Sequence, residues 1–207
     1  MQIVHSRVKA ILKQQGYSLC LLLTLMAACD TIEPQREDVP ELITKATLTF
    51  TPPGGGQSTI ATAIDPDGEG VQDLQVDGAI DLAASTTYTM TIALVNELAF
   101  EGSAEFDISN EVAEEADEHL FFFGWSDSMF FDPAGDGNID SRGDPVHYND
   151  HDEGGLPLGL STTWVTGTAS SGVLRILLKH QPDLKTETAD ADTGETDLDI
   201  TFAININ

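Results

Sequence analysis

The chain has 207 residues, 35 acidic and 9 basic side chains, a formal net charge of −26 and 41% hydrophobic content. Length and apolar content suit one domain with a sizeable core, while the charge argues against nucleic acid and anionic lipid headgroups as partners. Both cysteines, Cys20 and Cys29, lie near the start, so no internal disulfide is expected in the rest of the chain.

Residues 1–16 carry Arg7, Lys9 and Lys13 and no acid, and an apolar run follows from Tyr17 to Ala28. A charged start, a short apolar stretch and small residues before a cut are the layout of a secretory signal. The run falls short of the about 20 residues that a membrane span needs. Met26-Ala27-Ala28-Cys29 resembles the bacterial lipoprotein signal. That resemblance implies removal of a signal peptide at 1–28, transfer of a diacylglyceryl group to the Cys29 thiol, and a new N-terminus at Cys29. Two or three acyl chains anchor durably. The protein is then expected in the cell envelope, held by membrane lipid, at the outer membrane and on either of its faces. The competing reading is a secreted protein cut after Ala28, with Cys29 a free thiol. Asp30 to Pro40 is polar, carries Pro34 and Pro40, and reads as a flexible tether from the acylated residue to a body at 41–207.

Strand signals fill the body. Ala46, Leu48 and Phe50 alternate with Lys45, Thr47, Thr49 and Thr51, the period-2 pattern of a half-buried strand. Pro52 to Gly56 turns the chain and Ser58 to Ile64 returns it, predicting a hairpin. A second turn, Asp65 to Gly70, precedes short strands at Val71 to Val76 and Ala79 to Leu82, and Tyr88, Met90, Ile92 and Leu94 mark the cleanest strand. Ser109 to Asp117 is the one helical stretch, with Ser109 as cap and Val112, Ala113 and Ala116 on one face. Leu120 to Trp125 is apolar on both faces, which predicts a central strand, and Met129 to Phe131 is expected to continue it. Segment 132–159 is long, acidic and irregular, and loops of that length are usually functional or disordered. Strands at Thr162 to Val165, around Leu174, Ile176 and Leu178, and around Leu198, Ile200, Phe202 and Ile204 complete the body. The last has Asp197 and Asp199 facing outward. The fold class that follows is all-β, an antiparallel β-sandwich of immunoglobulin-like layout with one short helix near 109–117.

Three segments carry a further resemblance: Asp117 to Phe123, Tyr148 to Asp152 with Pro157 to Leu160, and Leu178 to Pro182. They are similar to an uncharacterised lipoprotein family of the Bacteroidota and related phyla, over most of 41–207, with 127–146 resembling an insertion. The resemblance implies no activity.

Two groups of residues suit cations. Asp132, Asp136, Asn138 and Asp140 stand at the alternating spacing of a calcium loop, with Gly137 at the sharp turn, and Asp144 can supply a late acid. Hard Ca²⁺ takes six to eight oxygens from such a loop. The departures are Ala134 and Gly143 at positions where ligands are expected. Asp65, Asp67 and Glu69 form a weaker version, explained as well by a turn. Separately, His119 shares a face with Phe121, Phe123 and Trp125, and His180 continues the face of Leu174, Ile176 and Leu178. If these strands are neighbours, both imidazoles meet at one end of the core beside Glu118 or Asp117. Imidazole with carboxylate suits Zn²⁺ or another transition metal. His147 and His151 flank Asp150 and lie in a loop. Trp125, Phe130, Phe131 and Trp164 read as core rather than as a sugar-binding surface.

No nucleophile elbow, phosphate loop or catalytic cysteine is present. The expected function is therefore a lipid-anchored cell-envelope module, a non-enzymatic binding or accessory protein that meets another envelope protein. The alternatives are a Ca- or Zn-binding lipoprotein that assists uptake at an outer-membrane receptor, and an envelope hydrolase with an unfamiliar site. After the cut, only Arg36, Lys45, Arg142, Arg175, Lys179 and Lys185 oppose all the acids, which spread over nearly every loop. That reads as a salt-adapted coat with weaker stability at low ionic strength.

Overall fold

The computed structural model describes residues 41–65 and 74–207. The signal segment, Cys29, the tether and, in the second turn, Asp67 and Glu69 lie outside these residues, as does Val71 to Asp73 of the strand expected there. Period-2 alternation becomes strands throughout. They are β1 (Lys45–Thr51), β2 (Thr59–Ile64), β3 (Gln75–Asp77), β4 (Ala79–Leu82), β5 (Thr87–Val95), β6 (His119–Trp125), β7 (Phe130–Asp132), β8 (His147–Tyr148), β9 (Ser161–Thr166), β10 (Ser170–His180) and β11 (Glu195–Ile206). One sheet runs β3-β2-β1-β5-β9-β7, with β8 also paired to β9, and the other runs β4-β11-β10-β6. The apolar sides of both enclose one core in which Phe50, Phe121, Phe123, Trp164 and Phe202 are fully buried. Trp125, Phe130 and Trp164 pack within it at ring-centroid distances of 4.6–5.7 Å, whereas Phe131 is exposed.

Four details differ from the pattern read in the sequence. First, β4 pairs with β11 in parallel, so the sandwich is not wholly antiparallel. Second, β7 leaves the line of β6 and joins β9 in the opposite sheet. Third, the helix α1 (Ile108–Glu114) is capped by Asp107, whose side chain accepts from Asn110 N–H, and Ser109 lies within it. The Ser109 hydroxyl instead accepts from Leu94 N–H and donates to Leu94 C=O, stitching the helix to β5. Ile108 and Val112 form its buried face, and Ala113 is exposed.

Fourth, β6 is the edge strand of its sheet. Its second apolar face is real, since Leu120 and Phe122 are fully buried, but the cover is not a sheet. Ile139 and Tyr148 of segment 132–159, with Ala191 from the β10–β11 connection, close over Leu120, Phe122 and Leu177. Segment 132–159 also satisfies the open edge of β6: Trp125 N–H donates to Asp136 C=O, Asn138 N–H to Phe123 C=O, and Phe121 N–H to Leu158 C=O. An edge strand left bare would be a pairing hazard. Segment 132–159 therefore serves first as a strap over this edge.

Candidate metal centre

Strands β6 and β10 pair in antiparallel register with His119 opposite His180. Both side chains take the inner face, and the rings stack with centroids 4.6 Å apart and planes 6° from parallel. His119 is fully buried and His180 nearly so. Each ring has one nitrogen committed. His119 Nδ1 lies 3.1 Å from the Glu115 carbonyl. A carbonyl only accepts, so Nδ1 carries the proton and Nε2 presents a lone pair. His180 Nε2 lies 3.3 Å from a Glu118 carboxylate oxygen, which leaves Nδ1 as that ring's lone pair when the imidazole is neutral. Fixing one nitrogen to orient the other is the arrangement that supports metal-ligating histidines.

The end of α1 completes the group. Glu115 follows the helix, its N–H bonded to Glu111 C=O. Its carboxylate and a nitrogen of each histidine all lie within 4.8 Å of one another. Among the described residues this is the one set of three or more such groups close enough to hold a metal ion. Glu118, the carboxylate expected from the sequence, orients His180 instead.

Asp197 enters from β11. The pairing of β10 with β11 slips between Leu178, opposite Leu198, and Lys179, opposite Thr196, so Asp197 is the extra residue of a β-bulge. A bulge places two successive side chains on one side of a strand, and Asp197 turns inward with Leu198 rather than outward. Its side chain is fully buried, with Oδ2 3.7 Å from His119 Nε2. That distance is too long for a hydrogen bond, and neither atom has a hydrogen-bond partner. The other oxygen, Oδ1, accepts from Glu41 N–H at 3.3 Å. Gly194, just before β11, packs against the His180 carbonyl where a Cβ would collide.

The electrostatics of the group follow from burial. Burial, then the neighbouring His180 ring, holds His119 down to about 4. Burial pushes the Asp197 carboxyl up to about 6. Burial, then the Glu111, Asp197 and Glu115 carboxylates, raises Glu41 to about 7. At neutral pH the Nε2 lone pair of His119 thus faces an anionic oxygen with no proton between them. Such a cluster favours a cation.

The calcium pattern is dispersed. Asp132 accepts from His147 Nε2 at 2.7 Å. Asn138 is fully buried, its Oδ1 accepting from Phe123 N–H and its Nδ2 donating to Tyr148 Oη. Gly137 has φ +103° and sits against the Phe123 carbonyl, where no side chain fits. Asp136 spends its carbonyl on Trp125 N–H, Asp140 flanks a surface hollow with Arg175, and Asp144 is exposed. No three acids of this loop come within 4.8 Å of one another. The spacing that resembles a calcium loop belongs to the strap over β6. His151 lies in an isolated bridge with Pro157, and Asp150 accepts from Gly159 and Ser161 N–H, so this histidine-rich stretch is also structural.

Glu115, Asp197 and Glu41 escaped the sequence reading. Glu115 is one acid among several on a short helix, and Glu41 precedes the first strand. Asp197 looks outward by simple alternation, and nothing local announces the bulge. Comparison with protein-family models, curated proteins and solved structures finds no match for this chain.

Proposed function

We propose that this protein is a lipid-anchored envelope module that binds one divalent transition-metal ion, Zn²⁺ above all, through Glu115, His119 and His180. The observation that carries this reading is the buried, stacked imidazole pair beside a carboxylate, each ring with one nitrogen tied to an acceptor and His119 Nε2 buried without a partner. Two nitrogens and a carboxylate oxygen suit Zn²⁺, whereas Ca²⁺ wants an all-oxygen shell. Rings 6° from parallel do not aim at one point, so one imidazole turns about its Cβ–Cγ bond on binding. Met26-Ala27-Ala28-Cys29 supports anchoring by Cys29, with the body acting outside the cytoplasm as an accessory module.

Metal-free protein dialysed against Zn²⁺ is expected to retain one equivalent, and against Ca²⁺ none at the same concentration. At about 100 times Kd, zinc adds about 2.7 kcal/mol of stability, read as a rise in Tm of several degrees. The paired substitution His119→Gln and His180→Gln abolishes both effects. Wild-type protein with no retained zinc and no shift in Tm overturns the reading. Mass spectrometry of native material tests the anchor: the expected N-terminus is acylated Cys29, and a peptide retaining Met1 contradicts it.

A further inference from the structure

We infer that Asp197 is the fourth ligand of this ion, and that the ion thereby fastens the point where the chain enters the sandwich. The inference rests on the zinc reading and extends it to a residue and a consequence. The bulge between Leu178/Leu198 and Lys179/Thr196 turns Asp197 inward, against the alternation of the rest of β11. Its Oδ2 and His119 Nε2 are buried 3.7 Å apart, and neither is hydrogen-bonded. Buried polar atoms without partners are uncommon, and a bound ion is a recognised reason for one. Two atoms bound to the same tetrahedral zinc at about 2.0–2.2 Å are about 3.3–3.5 Å apart, so a shift of a few tenths of an ångström closes this pair on an ion. Asp197 lies outside the 4.8 Å set of Glu115, His119 and His180, and draws in toward the other two ligands on binding.

Charge makes the same point. The carboxylates of Glu115 and Asp197 match the charge of one Zn²⁺ bound by two neutral imidazoles, and Glu118, held on His180 Nε2, adds a further negative charge beside it. A buried cation with anionic ligands avoids the cost of an uncompensated ion. Four protein ligands also describe a closed, structural site rather than one with a position open for substrate.

The consequence runs through the other carboxylate oxygen. Asp197 Oδ1 accepts from Glu41 N–H, and three residues on, Thr44 N–H bonds Val95 C=O. Holding Asp197 in place therefore holds Glu41 to Thr44, the first described residues after the tether.

Asp197→Asn separates the possibilities. The amide keeps an acceptor for Glu41 N–H and brings a donor for His119 Nε2, so the metal-free variant is expected to melt no lower than wild type. Its zinc affinity, by titration calorimetry, is expected to fall by more than the about 10–100-fold that loss of an orienting group costs. In wild type, zinc slows amide hydrogen exchange at 41–44, and in the variant it does not. If wild type binds zinc and the variant binds it equally well, Asp197 is not a ligand, while the metal reading stands. If wild type itself takes no zinc, the metal reading falls and this inference with it. Weakened binding in the variant, with exchange at 41–44 indifferent to zinc in wild type, removes the fastening. Asp197→Ser, checked for folding by circular dichroism, gives the same comparison if the amide variant does not fold.

Discussion

Asn138 has both ends of its amide occupied. It accepts from Phe123 N–H at 2.9 Å and donates to Tyr148 Oη at 2.8 Å, and that hydroxyl donates to Phe121 C=O at 2.7 Å. Burial pushes the Tyr148 phenol up to about 12, so it remains a donor. Asn138→Ala leaves the Phe123 N–H without its side-chain acceptor and is expected to cost about 2–3 kcal/mol in urea denaturation. A loss below about 0.5 kcal/mol would show that the strap does not depend on it. At this scale the sequence was informative about some residues and silent about others. His119 and His180 could be placed together because each continues an alternating apolar face, and period-2 geometry then puts both inside. Asp197 could not, because a single extra residue reverses the direction of a side chain. Asn138 misled, since an amide in an Asp- and Gly-rich loop has the same spelling whether it binds an ion or a backbone.

Elements show a similar division. The hairpin of β1 and β2 and the long β5 were legible, because polar threonines alternate with buried aliphatics and glycine and proline mark the turn. The place of β6 was not. Two apolar faces identify a strand that is covered on both sides, and they do not say whether sheet or loop provides the cover. The strap that covers it is itself pinned by an internal ion pair. Lys185 Nζ lies 3.1 Å from an Asp152 carboxylate oxygen and donates to Ala116 C=O, with both side chains almost wholly buried. Burial pushes Asp152 up, but the bond from Leu156 N–H and the Lys185 ammonium outweigh it, and the carboxyl titrates below its ordinary value. A depressed carboxylate stabilises fully above the unfolded value of about 3.9 and loses that contribution as pH falls through the folded one. Asp152→Asn leaves the Lys185 charge buried without its partner and is expected to cost about 3–5 kcal/mol at pH 7. Denaturation curves of wild type and variant should converge below about pH 3.9. A gap that stays constant down to acid pH would mean that the charge pair contributes nothing.

For the whole molecule, the net charge of −26 is the dominant electrostatic fact. Surface pairs such as Arg175 with Asp199 and Lys45 with Glu97 neutralise little of it. Self-repulsion is screened as the Debye length falls from about 30 Å at 0.01 M salt to about 3 Å at 1 M. The metal-free protein should therefore melt several degrees higher in 1 M than in 0.01 M NaCl. A flat response would remove the salt-adapted reading of the surface. Against this diffuse charge the centre at the end of β6 and β10 is distinct, because its donors are few and close together, with both imidazoles buried and Glu115 half-buried beside them. An anomalous difference map at the zinc edge, from crystals of the protein grown with zinc, tests that claim most directly. A single strong peak is expected, bounded by Glu115, His119 and His180, at about 2.0–2.2 Å from their donor atoms. Zinc found only on exposed acids such as Asp132 and Asp144, with the two imidazoles still stacked and no density between them, would contradict it.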